Sequence, residues 1–250
     1  MQLPGLEGKV ALVTGGGSGI GEAAARLLAS CGVKVGVLSR EDEEVQSVSG
    51  SIQDAGGLVA DISKPEEMQR AIAQLVEHWG RLDIVFANAG INGVWAPIEE
   101  LSPEEWETTL RINLNGTFFT VKYSVPYLKQ QGGSVIITSS VNGTRIFSNA
   151  GAAAYSSSKA GQVAFAKMAA LELAKHHIRV NVICPGWIST NIEENTQKRD
   201  VDAAREPVEY PAGTVPLTDG QPGRPEDVAN LVAFLASDSS KHISGTEIWI

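Results

Sequence analysis

The first apolar run of the chain, Val10–Thr14, passes without a break into residues 14–21, TGGGSGIG, and then into an alanine-rich helical stretch. No other feature narrows the fold so far. Glycines between a strand and a helix let backbone approach a ligand closely and leave several amide groups free, with the positive end of a helix behind them. That is the chemistry of a phosphate cradle, and Gly15, Ser18, Gly19, Ile20 and Gly21 are its candidate residues. The run lacks the Lys-Ser or Lys-Thr ending of an ATP-binding loop. The competing reading is a tight turn without a ligand; the flanking strand and helix favour the cradle.

The strand-then-helix order repeats along the chain. Short runs rich in Val and Ile at Val10–Thr14, 33–38, Ile84–Ala87, 134–138 and 180–184 lack polar alternation, as strands covered on both faces do. Weaker strand signals lie at 59–60 and 247–250. Helical stretches fall at 19–29, 41–54, Pro65–Trp79, 103–130, 154–176 and 225–237. Ser63 before Pro65, and Ser102 before Pro103, place an oxygen to cap the free amides of a first turn. The alternation predicts an α/β fold with a parallel sheet, helices on both faces and right-handed crossovers. No linker or repeat divides the chain, so residues 1–250 read as one domain. The exception is 191–223, where Pro207, Pro211, Pro216 and Pro222 oppose long helices. That stretch is expected to be a mobile substrate lid, against the alternative of an ordered surface excursion.

Composition closes off other classes. Acidic residues outnumber basic ones 29 to 20, which argues against a nucleic-acid-binding face. No run of about 18 apolar residues is present, which excludes a membrane-spanning helix. The start, MQLPGLEGK, has no apolar signal stretch, so a cytoplasmic location is expected. Cys31 and Cys184 are far apart in apolar surroundings and read as buried thiols, with no metal site expected.

Other residues carry chemistry. The second strand runs into Ser39 and Arg40, where an acidic residue would hold the free ribose hydroxyls of NAD. Arg40 can pair with a ribose phosphate and Ser39 can add a hydrogen bond, so NADP(H) is favoured; NAD(H) stays open because Glu41 and Asp42 follow directly. Tyr155 and Lys159 are four apart at a helix start and share a face. A tyrosine is a poor base near neutral pH unless a cation favours its phenolate, and Lys159 supplies one. Ser140 follows the fifth apolar run, at the carboxyl end where parallel sheets place ligands. Strand alternation points only one of Ser139 and Ser140 into the crevice. Asn113 is a polar amide inside an apolar-periodic helix and is costly there unless paired. Pro185 and Gly186 force a turn after a strand.

Together these motifs resemble the short-chain dehydrogenase/reductase family over nearly the whole chain: TGGGSGIG, Asp61-Ile62-Ser63, Ala87-Asn88-Ala89-Gly90, Asn113-Leu114-Asn115-Gly116, Ser140, the Tyr155-to-Lys159 spacing, and Pro185-Gly186 with Thr190. The resemblance implies a three-layer Rossmann fold with a doubly wound seven-stranded parallel sheet in the order 3-2-1-4-5-6-7. It places Asp61 and Ile62 by the adenine ring, makes Asn88, with Ala89 and Gly90 after it, a brace of the central sheet at the cofactor, and selects Ser140 over Ser139. Asn113, Ser140, Tyr155 and Lys159 become the active site, Asn113 through a water-held proton relay. Ile188 and Thr190 become contacts to the nicotinamide amide and pyrophosphate. The implied reaction is hydride transfer between a nicotinamide and a ketone or secondary alcohol; 3-oxoacyl-carrier reductase and sugar 1-dehydrogenase are the alternatives, and an idle dinucleotide-binding scaffold is disfavoured by the intact set. The two long helices, through Val121, Tyr123, Val125, Phe165, Met168 and Leu171, are expected to pair subunits into a homotetramer, with a dimer as the alternative. Two departures stand out: 41–61 is short for the family, and the sequence stops at Ile250, where relatives continue with Asp-Gly and a tail.

Overall fold

A computed structural model describes residues 3–145, 149–190, 192, 196–205 and 219–250. Seven strands form one parallel sheet: β1 Val10–Thr14, β2 Lys34–Ser39, β3 Ala55–Val59, β4 Ile84–Ala87, β6 Gly133–Thr138, β7 Ile178–Cys184 and β9 Glu247–Trp249. Their order is β3-β2-β1-β4-β6-β7-β9. Among the described residues, two further strands, β5 Val94–Trp95 and β8 Gln197–Lys198, pair with each other outside it. Without that small ribbon the main sheet reads 3-2-1-4-5-6-7, the expected doubly wound order.

The unbroken apolar runs have a simple cause. Val10 and Leu12 of β1 enter one core with Met68, Ile72 and Val163, while Ala11 and Val13 enter the other with Leu28, Val228 and Val232. Alternate side chains leave opposite faces of a strand, and here both faces are covered. The first layer holds α3 Pro65–Trp79, α5 Gly116–Leu128 and α6 Ala153–Leu173; the second holds α1 Gly19–Ser30, α2 Asp42–Gly50 and α7 Pro225–Ala236. None of the helices among the described residues is long and apolar enough to cross a membrane.

One capping expectation holds, and three local expectations need correction. Ser102 caps α4, Pro103–Leu110, in a full capping box with Glu105. Ser63 does not cap α3: its hydroxyl accepts from Arg111 Nη1 at 3.2 Å, and Lys64 holds the cap position. The helix expected over 103–130 is two helices joined by a π turn, Arg111–Asn115. The third strand begins at Ala55, upstream of 59–60, after a left-handed Asp54 that ends the α2 connection. Gly56 and Gly57 hide it from a β-propensity reading, yet a Cβ on Gly57 would lie 2.7 Å from Val45 Cγ1 of α2.

Candidate active site

The carboxyl ends of β1, β4, β6 and β7 meet at a cleft of about 480 Å³. Its phosphate end is the glycine turn. Gly15 has a left-handed φ of 63°, and a Cβ on it would lie 2.9 Å from Ala89 Cα. A Cβ on Gly21 would overlap the carbonyl oxygen of Gly15, so the turn closes only as bare backbone. Gly19 is also left-handed and lies against Thr190, joining the first turn to the loop after β7. Ser18 and Ile20 line the cleft, and Ser18 stands at the start of α1 without a side-chain capping bond. Bare backbone, a helix start and an unspent hydroxyl fit a dinucleotide pyrophosphate.

Asn88 ties three strands together beneath this turn. Its amide nitrogen donates to Thr14 O at 3.3 Å, its backbone N–H donates to Thr14 Oγ1 at 3.0 Å, and its Oδ1 accepts from Thr138 Oγ1 at 3.0 Å. Ala89, Gly90, Pro185, Gly186, Ile188 and Thr190 line the cleft beside it. A Cβ on Gly90 would lie 3.0 Å from Asn113 Oδ1 and 3.6 Å from Lys159 Nζ.

Ser140, Tyr155 and Lys159 converge on the cleft floor. Lys159 is buried and donates to the carbonyl of Thr138 at 2.9 Å, with its ammonium 5.6 Å from the Tyr155 ring centre. Burial pushes the Lys159 ammonium down to about 8. Burial pushes the Tyr155 phenol up, and a hydrogen bond with Ser140 opposes that rise. Ser139 also lines the cleft but turns its hydroxyl back onto the Lys159 carbonyl at 2.8 Å, whereas the Ser140 hydroxyl meets Tyr155. Asn113 does not line the cleft. Its side chain clasps Ile91, accepting from its N–H at 2.8 Å and donating to its carbonyl at 2.9 Å, and donates to Ser158 Oγ at 3.0 Å.

The π turn explains how Asn113 also acts through its backbone. A π turn shifts the intrahelical partner by one residue and loosens a carbonyl. The Asn113 carbonyl accepts from Thr117 Oγ1 at 2.8 Å and from Gln162 Nε2 at 2.9 Å. Gln162 escaped the sequence reading, although a polar amide three residues after Lys159, on a buried helix face, was a signal. Its Oε1 is buried without a partner among the described residues.

The groups expected to meet the adenosine are paired with each other. Asp61 Oδ1 accepts from the Ser63 N–H at 2.9 Å. Burial opposes its charge, but the hydrogen bonds from Ser63, with Lys64 and Arg40, hold its carboxyl below the ordinary value. Ile62 is buried against Gly116. Arg40 is exposed and binds Glu41 at 2.9 Å. Ser39 donates to Glu44 Oε2 at 3.0 Å, and Glu44, absent from the sequence-predicted set, lines the cleft. Gly21, Ser39, Arg40, Asp61 and Ile62 are not part of the cleft wall.

Trp95 lies 6.4 Å from the Tyr155 ring, with Lys198 Nζ 5.5 Å above it. Arg199 fastens this ribbon to Glu105 at 2.8 Å and to Glu100, and draws the Glu105 carboxyl down to about 2. Trp187 is exposed, beside a bridge from Ile188 to Gly223 that closes the base of the 191–223 stretch. Residues 191, 193–195 and 206–218 of the expected lid lie outside the described residues.

Residues 15–250 match the family model described as Enoyl-(Acyl carrier protein) reductase. The chain is 37% identical over 250 residues to the 3-oxoacyl-[acyl-carrier-protein] reductase FabG of Thermotoga maritima, covering 98% of this chain and 97% of that protein. It belongs to the short-chain dehydrogenase/reductase family. A cyclohexanol dehydrogenase of an Acinetobacter species is 36% identical, with 96% of this chain and 92% of that one covered. Among solved structures, a 3-ketoacyl-ACP reductase from Sinorhizobium meliloti is 54% identical with a TM-score of 0.91, covering 96% of each chain. A 3-ketoacyl-(acyl-carrier-protein) reductase from Brucella melitensis, complexed with NADH, is 29% identical with a TM-score of 0.86, covering 98% of this chain and 97% of that one. As a member of this family, the chain is an oxidoreductase of ketones and secondary alcohols that uses a nicotinamide dinucleotide.

Proposed function

We propose that the protein reduces a small ketone, with Tyr155 as proton donor, Ser140 as holder of the substrate oxygen and Lys159 as the cation behind the phenol. The observation that carries this is the convergence of the three side chains on one cleft floor, with Lys159 anchored to Thr138. The glycine turn, Asn88 and the 185–190 loop would hold the dinucleotide, which supplies a hydride when bound. A neutral phenol at pH 7 is the form that can give up a proton, and the raised Tyr155 favours it. Once the proton has left, the Lys159 ammonium stabilises the phenolate. Asn113 acts as a positioning residue: it fixes Ile91, next to Gly90, whose backbone packs close to Asn113 Oδ1 and Lys159 Nζ. Oxidation of NADH and NADPH with a panel of ketones, diketones, aldoses and 3-oxoacyl thioesters tests the assignment. Turnover of ketones supports it, and no turnover of any carbonyl overturns it.

A second reading, reduction of a 3-oxoacyl group on an acyl carrier, is favoured by the names of the Thermotoga and Sinorhizobium relatives. An acidic carrier would need free basic groups at the rim. Of the described ones, Arg145 lies over Trp249, Lys198 over Trp95 and Arg199 on Glu105, and Arg205 is exposed. The small-ketone reading therefore stands first.

A preference for NADP(H) rests on Arg40, whose guanidinium would have to leave Glu41 to meet a ribose phosphate. The opposite preference has the support of Glu44. For assembly, we propose a homotetramer through α5 and α6. Phe118, Met168 and Leu171 are exposed there, while Val121, expected at the surface, belongs to the core. A light-scattering mass equal to one chain of 26.5 kDa would reject it. The 191–223 stretch as a lid stays a proposal, and slower hydrogen exchange on ligand binding is its test.

A further inference from the structure

An acidic residue at the end of the second strand reads the ribose in the dinucleotide motif, and here that position holds Ser39. A carboxylate nevertheless reaches the same place from another element. Glu44 stands in the first turn of α2, and its Oε2 accepts from the Ser39 hydroxyl at 3.0 Å. The same oxygen would lie 2.6 Å from a Cβ on Gly17. The third glycine of the run thus leaves the space that Glu44 fills, between the glycine turn, the end of β2 and the cleft it lines.

We propose that Glu44 is the ribose-reading residue of this chain and that it makes the enzyme prefer NAD(H) over NADP(H). This rests on the dinucleotide reading of the cleft. An ionised carboxylate only accepts hydrogen bonds, so it suits a vicinal diol, which offers two hydroxyl donors. A phosphate in place of one hydroxyl brings like charge against it. Among the described residues, the side chains beside Glu44 do not offset that repulsion. Glu41, Asp42 and Glu43 lie on the same turn, and Arg40, next to them in the chain, is already paired with Glu41. Ser39, the other group that could serve a phosphate, donates its hydroxyl to Glu44.

Calorimetric titration of the wild-type protein and of Glu44→Gln, Glu44→Ala and Arg40→Ala with NADH and with NADPH tests the proposal without turnover. The wild type should bind NADH roughly tenfold or more tightly than NADPH, as expected for a charge-assisted contact to one and repulsion of the other. Glu44→Gln keeps a hydrogen-bonding partner for Ser39 yet removes the charge; it should weaken NADH and strengthen NADPH until the two differ by less than about threefold. Glu44→Ala should do the same, and Arg40→Ala should leave the ratio nearly unchanged. A wild type that prefers NADPH, or a ratio that both Glu44 variants leave intact, overturns the role of Glu44 alone. Failure of the wild type to bind either nucleotide would overturn the dinucleotide reading and this inference with it.

Discussion

The two ends of the cleft are built on opposite principles. At the proposed catalytic end, Lys159, Asn113, Ser140 and Gln162 are buried, and each is tied to backbone or to a neighbour from another element. At the proposed adenosine end, Arg40, Glu41 and Asp42 are exposed; Arg40 pairs with Glu41, and Asp42 accepts from Gln46 within α2. A buried polar group must find its partner inside the protein, so packing dictates its position. An exposed charge chooses among several partners at little cost. Catalytic roles are therefore hard to move by mutation, whereas cofactor preference should be easy to move.

The largest expected effect is at the buried end. Tyr155→Phe removes the proton donor and should lower kcat for ketone reduction by about 10²- to 10⁴-fold, with nucleotide affinity unchanged in titration. An equal loss of affinity would show that the two ends are not separable. Next comes the pH profile. The Lys159 cation is present below about 8 and lost above it, so kcat/KM for reduction should turn down near that pH. Lys159→Arg, which stays charged, should be less active at pH 7 but lack that downturn; an unchanged downturn would assign it to another group.

Gln162→Leu sharpens the comparison within the buried end. It strips a partner from the Asn113 carbonyl and from Thr117, and should destabilise the protein by roughly 1–3 kcal/mol in chemical denaturation. It should also lower kcat more than it raises KM, because it acts on the π turn and not on the cleft wall. The smallest effect belongs to an exposed charge. Arg199→Ala should leave the melting temperature within error while speeding hydrogen exchange in Val94–Trp95 and Gln197–Lys198. Unchanged exchange would mean that strand pairing alone holds the ribbon.

The same contrast explains what could be read from the sequence. The strand order and the Ser140, Tyr155 and Lys159 set were what the family resemblance implied, whereas the parallel, doubly covered sheet was legible because covered strands leave unbroken apolar runs. The π turn was not, since apolar spacing over 103–130 continues across one extra residue of winding. The strand at Ala55–Val59 was hidden by glycines whose purpose is close helix packing, a tertiary reason invisible to propensity. The Arg40 reading went no further than the chain neighbours. Which carboxylate Ser39 meets depends on how α2 docks on β2, and α2 brings Glu44 from five residues away.

The central assignment is that a hydride reaches the substrate carbon in this cleft while Tyr155 protonates its oxygen. Single-turnover reduction of a ketone with dinucleotide deuterated at the transferring position of C4, in the wild type and in Tyr155→Phe, tests it most directly. The wild type should yield alcohol carrying deuterium on the carbinol carbon, and the variant should bind the nucleotide equally well yet form almost none. Alcohol without deuterium, or deuterated alcohol formed by the variant at the wild-type rate, would contradict it.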